Sequence, residues 1–317
     1  RKPMEELNSL YGVDLRPEKF ENEMLYGYYI HKVEYWYYKK IIQKLKPRVI
    51  LEVVSYNRKC MTVNEIAKKM KIPTIELQHG VLGTEHIAYN FPVGYHIQQF
   101  PQYIFTFSDY WNKNTRFPIE PNHVRAVGYP YLEKMAQKYA VGKGRKGEKK
   151  VILFLSSGPI GIELADVAVQ LRDLLDKEMY RIIFKLHPND CTGWKERYPA
   201  LHQADGIEVI DNNQVNLYQL FSISDIQVSG FNSTTIFEGL FFSLQTYILR
   251  YNVLKEIADL CDSGVAAYFD NAESLAEQIK RDKNQQKNVG AVLWKKNSLQ
   301  NTIREIKEIM NQGAEDE

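Results

Sequence analysis

Short apolar segments alternate with amphipathic helical segments along most of the 317-residue chain. A hydrophobic period of two predicts strands and a period near 3.6 predicts helices, so this alternation is typical of βα units around a parallel sheet. The predicted strands lie at residues 49–54, 73–77, 103–107, 124–127, 151–155, 181–186, 207–210, 225–229, 246–250 and 266–269. The sequence therefore predicts an α/β fold.

A glycine-rich and charged segment at residues 141–150 divides this pattern, and a clean βα alternation restarts at Val151. The segment has nothing to bury, so we interpret it as a solvated linker, with contact to phosphate or to an acidic membrane surface as the alternative. We predict an N-terminal domain at residues 1–143, a C-terminal domain at 150–290 and a C-terminal helix at 291–317. Both domains are expected to be Rossmann-like and doubly wound, with a cleft between them.

Composition argues against several classes of protein. The net charge of +2 gives no overall electrostatic case for nucleic acid. Cys60, Cys191 and Cys261 have no CxxC spacing, which argues against a zinc site or a disulfide framework and fits a reducing cytosol. No apolar run is long enough to predict a transmembrane helix, and no signal peptide is visible.

The segment before Pro47 is predicted to be helical, and this proline ends the helix. The helix is unusually rich in aromatic residues, namely Tyr26, Tyr28, Tyr29, Tyr35, Trp36, Tyr37 and Tyr38. Such a cluster is typical of core and interface packing. Contact with a membrane surface and stacking on a sugar are the alternatives.

A polar turn joins the strand at 225–229 to an apolar helix that ends near Phe242. The short polar residues there, with the glycine that precedes them, are Gly230, Asn232, Ser233, Thr234 and Thr235. The first N–H groups of a helix have no intrahelical partner and attract anions, so the turn predicts either an ordinary N-cap or a phosphate site. Glu238, one turn further on, is a candidate acceptor for sugar hydroxyls.

Two further turns follow predicted strands. Lys185 and His187 end the strand at 181–186 and are expected on one face of it, where His187 can donate to a phosphate oxygen. Ser156 and Ser157 begin a glycine-containing turn that is a third possible phosphate contact, although it is not a Walker A loop. The carboxyl ends of parallel strands share one edge, so these turns are expected to converge.

Gln78, His79 and Gly80 end a strand of the first domain, and Gly80 permits close approach of a backbone or ligand. His79 is our first candidate for a general base that deprotonates an acceptor hydroxyl, and Glu85 is the second. The alternative is that backbone hydrogen bonds hold His79 in a structural turn.

Four segments together resemble one family of enzymes. They are Ile-Pro-Thr-Ile-Glu-Leu-Gln-His-Gly at 72–80, Val-Gly-Tyr-Pro at 127–130, Phe-Lys-Leu-His-Pro at 184–188 and Ser-Gly-Phe-Asn-Ser-Thr-Thr-Ile-Phe-Glu-Gly at 229–239. Their order resembles the GT-B glycosyltransferases of bacterial surface polysaccharide synthesis. The chain is similar in particular to the sialyltransferases, Kdo transferases and CDP-glycerol glycerophosphotransferases of capsule and lipopolysaccharide synthesis, and the UDP-N-acetylglucosamine 2-epimerases share the fold and a similar layout.

The resemblance implies a GT-B fold in which the second domain binds a nucleotide-sugar donor and the first faces a glycan or lipid-linked acceptor. It implies that His187, Ser233, Thr234 and Thr235 hold the donor phosphates and ribose, and that Glu238 binds the ribose hydroxyls. It implies an inverting transferase without metal or cofactor, at the cytoplasmic face of a membrane. A 2-epimerase, a polyol-phosphate transferase and a non-catalytic nucleotide-sugar-binding subunit remain alternatives.

Overall fold

Two separate parallel sheets organise the protein in a computed structural model that describes residues 2–14, 16–139, 149–212, 214–230, 233–251, 253–281 and 290–315. Each predicted strand is present close to its predicted place, so the α/β class is confirmed. Most of the boundary segment, residues 141–148, lies outside the described residues, and the domain limits stay a prediction.

The first sheet has four strands in the order β1-β2-β3-β4. They are β1 (Ile50–Glu52), β2 (Thr74–Leu77), β3 (Tyr103–Thr106) and β4 (Val124–Ala126). The helices of this part are α1 (Lys2–Tyr11), α2 (Pro17–Leu45), α3 (Arg58–Lys69), α4 (Asp109–Lys113) and α5 (Pro130–Tyr139). The strand order does not reverse, so this sheet has no topological switch point among the described residues.

The second sheet has six strands in the order β10-β9-β8-β5-β6-β7. They are β5 (Lys150–Leu155), β6 (Tyr180–Lys185), β7 (Ile207–Ile210), β8 (Ile226–Ser229), β9 (Gln245–Leu249) and β10 (Ala267–Phe269). The helices are α6 (Gly161–Leu174), α7 (Trp194–Arg197), α8 (Pro199–Gln203), α9 (Leu217–Ile223), α10 (Thr234–Phe241), α11 (Lys255–Asp262) and α12 (Ala272–Arg281). The order reverses between β5 and β8, where doubly wound folds bind ligands.

The chain returns to the first domain at its C-terminal end, through α13 (Gly290–Leu293) and α14 (Ser298–Glu315). The C-terminal helical segment is divided between α13 and α14, where Asn297 adopts a left-handed backbone conformation with φ of 59°. The backbone N–H of Ser298 donates to Glu133 at 2.8 Å, and the side-chain amide of Asn301 donates to the carbonyl of Val127 at 3.1 Å. These contacts fix α14 on the first domain.

The N-terminal helical segment is also divided, since α1 and α2 are separated at Gly12, which has φ of +63°. The predicted core packing of the aromatic cluster is wrong for five of its residues. More than half of each of these side chains is exposed: Tyr26, Tyr28, Tyr29, Trp36 and Tyr37. None of the described helices is both long and apolar enough to cross a membrane.

Trp111 of α4 links the two domains. Its side chain is fully buried, its indole N–H donates to the carbonyl of Leu293 at 3.0 Å, and its ring lies 4.9 Å from that of Phe237 in α10. A large aromatic residue thus packs the first domain against α10, the helix that follows β8 in the second domain.

We expect Trp111→Ala to lower the free energy of unfolding by about 3–5 kcal/mol, because it leaves a cavity and an unpaired carbonyl. Denaturant unfolding followed by circular dichroism measures this. Met179→Ala, at a side chain that is 58% exposed, is the control and should change stability by less than about 0.5 kcal/mol. Equal stability of the two variants would contradict the linking role.

Candidate functional site

The loops after β5 and β8 meet at the switch point of the second sheet. A Cβ placed on Gly230 would lie 2.3 Å from the terminal methyl carbon of Ile160, which belongs to the turn after β5. A side chain at position 230 would require the Ile160 side chain to move, so the close approach favours glycine. The two polar turns predicted to converge are therefore in direct contact.

The turn after β5 is held by a buried network around Asp190. The Asp190 carboxylate accepts from Arg197 at 2.7 Å, from the Tyr198 hydroxyl at 2.9 Å and from the Ser156 hydroxyl at 3.3 Å. Ser156 is therefore engaged in the protein interior, and its predicted phosphate contact stays a prediction. Ser157 is also buried, but its hydroxyl has no hydrogen-bond partner among the described residues, so its hydrogen-bonding capacity is unsatisfied.

The start of α10 is an N-cap formed by Ser233, whose hydroxyl oxygen accepts from the backbone N–H of Thr235 at 3.3 Å. The two side-chain hydroxyls of Ser233 and Thr235 are 2.7 Å apart. The cap that the sequence predicted as one alternative is thus present. Capping satisfies one of the orphan N–H groups and does not exclude an anion at the same helix end. Asn232 lies outside the described residues.

Glu238 lies on the buried side of α10. Burial raises the pKa of its carboxyl to about 7, and the hydroxyl of Tyr218 lies within hydrogen-bonding reach of it. Burial raises the pKa of Tyr129, which comes from the first domain, and the charge of the Glu238 carboxylate raises it further. Glu238 therefore sits where both domains contribute polar groups, and its role towards ribose stays a prediction.

The end of β6 places His187 and Lys185 in different environments. His187 is exposed, and its Nδ1 accepts from the backbone N–H of Asn189 at 3.2 Å. In a neutral imidazole this acceptor role puts the proton on Nε2, which is then a donor. The Lys185 ammonium is buried and donates to the carbonyls of Leu186 and Asn212, each at 3.0 Å. Those bonds fix the end of the strand, and a ligand contact by Lys185 stays a prediction.

The turn after β2 in the first domain is fixed by Gln78. Its side-chain amide donates to the carbonyl of Gly80 at 2.8 Å, while its side-chain carbonyl accepts from the backbone N–H of Phe107 at 2.8 Å. One buried side chain therefore closes the turn and ties it to the end of β3. His79 is carried at the tip of this braced turn.

A buried carboxylate lies beneath His79. Glu76 is 1% exposed, and one of its oxygens accepts from the Tyr89 hydroxyl and from the backbone N–H of Ser55. The same oxygen is 3.9 Å from Nδ1 of His79, too far for a hydrogen bond but within ion-pair range. Partial burial lowers the pKa of His79, and the charge of Glu76 opposes that shift.

Tyr56 and His86 complete the surroundings of His79. The ring of Tyr56 is 6.3 Å from that of His79 and 5.8 Å from that of His86, and His86 packs on Tyr89 at 4.6 Å. Partial burial lowers the pKa of His86, and the neighbouring His79 lowers it further. The arrangement keeps both imidazoles neutral near pH 7, which is the form that accepts a proton.

Glu85, the second candidate base, is exposed and makes no hydrogen bond or ion pair with any other described residue. Sequence reasoning missed Glu76, Tyr56 and Tyr89, although they surround His79. Glu76 carried one detectable signal, namely a charged residue inside a strand predicted to be buried. The other two lie far from His79 in the sequence and gave no such signal.

The two candidate sites face each other across the cleft. A Cβ placed on Gly80 would lie 3.7 Å from the side-chain oxygen of Thr234, at the start of α10. Three residues further on, a Cβ on Gly83 would overlap the Glu256 carboxylate, which accepts from the backbone N–H of Thr84 at 3.1 Å. His79 and the polar turn at the start of α10 thus belong to one site, which we call the composite site.

Among the residues that the structure describes, no cluster of three or more His, Cys, Asp or Glu side chains is arranged to hold a metal ion. The candidate groups of the two domains are hydroxyls, imidazoles, backbone N–H groups and buried carboxylates. Such a set is suited to binding a phosphorylated ligand and to moving protons.

No family model matches the chain, and no curated protein matches it. Its fold is similar to that of UDP-N-acetylglucosamine 2-epimerase from Neisseria meningitidis bound to UDP-GlcNAc, at 15% identity and a TM-score of 0.61, over 97% of this chain and 89% of that chain. It is also similar to a glycosyltransferase from Rickettsia africae, at 18% identity and a TM-score of 0.53, over 91% of this chain and 83% of that chain. At such identities the similarity concerns the fold, which is GT-B as predicted.

Glu238→Gln should alter the pH dependence of stability. The raised pKa means that the folded state favours the neutral carboxyl, so the contribution of Glu238 to stability falls as pH rises from the unfolded value towards about 7. We expect similar stability of the two proteins near pH 5, and a variant that is more stable by on the order of 2 kcal/mol near pH 8. Thermal unfolding across pH measures this, with exposed Glu85→Gln as the control. Parallel pH curves for the Glu238→Gln variant and the unmodified protein would contradict the raised pKa.

Proposed function

We propose that this protein is an inverting, metal-independent glycosyltransferase that moves a sugar from a nucleotide-sugar donor to a glycan or lipid-linked acceptor. The observation that carries the proposal is the approach of the His79 turn to the start of α10 across the cleft. A helix end suited to phosphate and a neutral histidine close to it would supply the two functions that a transferase needs. We place its activity in bacterial surface polysaccharide synthesis, at the cytoplasmic face of the membrane.

The donor would lie against the second domain. The N-terminus of α10 and Nε2 of His187 would donate to the diphosphate, and the Ser157 hydroxyl offers a further buried donor. Glu238 would accept from ribose hydroxyls. As the bond between the sugar and the diphosphate breaks, these donors would stabilise the negative charge that grows on the leaving nucleotide.

The acceptor would enter from the first domain. His79 would take the proton of the acceptor hydroxyl while the acceptor oxygen attacks the anomeric carbon, which inverts the configuration. The Glu76 carboxylate, 3.9 Å from Nδ1 of His79, would stabilise the imidazolium that forms. Closure of the cleft would exclude water from the donor.

A 2-epimerase acting on a sugar nucleotide is the second candidate. The observations that favour it are the extent of the similarity to the Neisseria enzyme, whose structure contains UDP-GlcNAc, and the acid and imidazole groups beside His79. An epimerase converts the sugar nucleotide without an acceptor. A transferase releases the nucleotide only when an acceptor is present, so product analysis with and without acceptor separates the two.

His79→Ala should reduce turnover by about 10²–10⁴-fold, because a general base contributes that much, while donor affinity stays unchanged. Nucleotide release in the presence of acceptor measures turnover, and calorimetry measures donor binding. Because the pKa of His79 is lowered, the unmodified enzyme should lose activity only at a pH below the usual histidine range. Unchanged turnover in His79→Ala would remove this residue from the mechanism, and Glu85→Ala would then be tested in the same way.

His187→Ala should weaken nucleotide binding by about tenfold or more, since a donor to the diphosphate is lost. A thermal-shift screen of the unmodified protein with CMP, CDP, UDP and GDP identifies the base, because a ligand that binds the folded state raises the melting temperature. The matched control is His202→Ala, at a histidine of α8 outside the cleft loops. If the nucleotide found in the screen raises the melting temperature of the His187→Ala and His202→Ala variants equally, the assignment of His187 is contradicted. If the protein binds a nucleotide but shows neither transfer to any acceptor nor epimer formation, it is a binding subunit.

A further inference from the structure

The long helix α2 has two dissimilar faces. One face packs on α3, where His31 contacts the side chains of Thr62 and Glu65, and Arg58 pairs with Glu34 at 3.0 Å. The opposite face, which we call the outward face, carries large apolar and aromatic side chains. More than half of each is exposed: Leu25, Tyr26, Tyr29, Val33, Trp36 and Tyr37. An apolar patch of this kind on the surface indicates an interaction site.

The outward face has the spacing of a helix-pairing seam. Alternating steps of four and three residues connect Asn22, Tyr26, Tyr29, Val33, Trp36, Lys40 and Gln43. This period keeps a seam turned towards a partner helix over its whole length. The helix has 29 residues and is about 43 Å long, so the seam extends over several turns.

The charges along α2 are separated by end. Its beginning carries Glu18, Glu21 and Glu23 with a single lysine among them, whereas its last turns carry Lys39, Lys40 and Lys44. A parallel partner copy would bring like charges together at both ends. An antiparallel copy brings each acidic end against a basic end, which is the self-complementary arrangement that a twofold dimer requires.

We propose that the outward face of α2 binds the outward face of a second copy of this chain in antiparallel orientation. The antiparallel pair is centred midway between Tyr29 and Val33. Tyr29 of one copy is then level with Val33 of the other, and Tyr26 of one copy is level with Trp36 of the other. Six largely exposed side chains from each copy would contribute much of the area of roughly 800 Å² per partner that stable interfaces bury. This proposal does not depend on the proposed function.

A lipid surface fits the aromatic residues but not the charge pattern. Lysine and aromatic side chains favour an anionic bilayer. However, the acidic beginning of α2 lies along the same helix and would be repelled by anionic lipids. The second copy neutralises both ends, so the charge pattern favours the dimer.

Sedimentation equilibrium of the full chain tests the proposal. We expect a dimer whose dissociation constant rises at least about thirtyfold in Val33→Glu, because a charge is then buried at the centre of the interface. Met179→Glu, the same kind of change at an exposed apolar residue of the second domain, should leave the dimer intact. Circular dichroism confirms that each variant remains folded.

Charge reversal tests the orientation. One variant changes Glu18, Glu21 and Glu23 to Lys, and the other changes Lys39, Lys40 and Lys44 to Glu. Each should weaken the dimer by about tenfold or more, and combining both sets in one chain should restore it, since the two ends again complement each other. A chain that stays monomeric at all concentrations would overturn the proposal. So would a combined variant that remains monomeric, or monomers that bind vesicles of phosphatidylserine and phosphatidylcholine through this face.

Discussion

The composite site depends on a hydrogen bond from the backbone N–H of Thr84 to the buried carboxylate of Glu256. This bond, with the close fit of Gly83 against the same carboxylate, holds the loop that follows the His79 turn against the start of α11. A buried carboxylate left without its donor is costly, so the contact strongly favours the docked loop. The approach of the His79 turn to α10 is a consequence, because only a few residues separate that turn from the anchored loop.

The two domains contribute in different ways because their topologies differ. The second sheet reverses its strand order between β5 and β8, and the loops after these strands meet at this point, which is where doubly wound folds bind ligands. The first sheet runs β1 to β4 in order, so its described strands have no such switch point. It presents instead a rigid turn that Gln78 closes and a histidine above the buried Glu76. In the proposed function, nucleotide binding would therefore belong to the second domain, and proton transfer to the first.

Sequence reasoning was most successful where the determinants are local. Strands were found because short apolar runs end at polar turns, and the cap at Ser233 was found because its hydroxyl and the N–H of Thr235 are two residues apart. The contacts of Glu76 with Ser55 and Tyr89 join separate elements, and no local period encodes them. The break before Ser298 likewise depends on Glu133, which lies in another helix.

The aromatic residues of α2 mark the limit of inference from composition. Burial was expected because aromatic residues supply large apolar surfaces, yet a helix has only one face towards its own domain. His31 and Glu34 occupy that face through contacts with Glu65 and Arg58 of α3. The aromatic side chains therefore point away from the core. Their repeat is as regular as that of a buried face, so the sequence alone predicts burial, whereas the structure shows that the described part of the chain leaves this surface exposed.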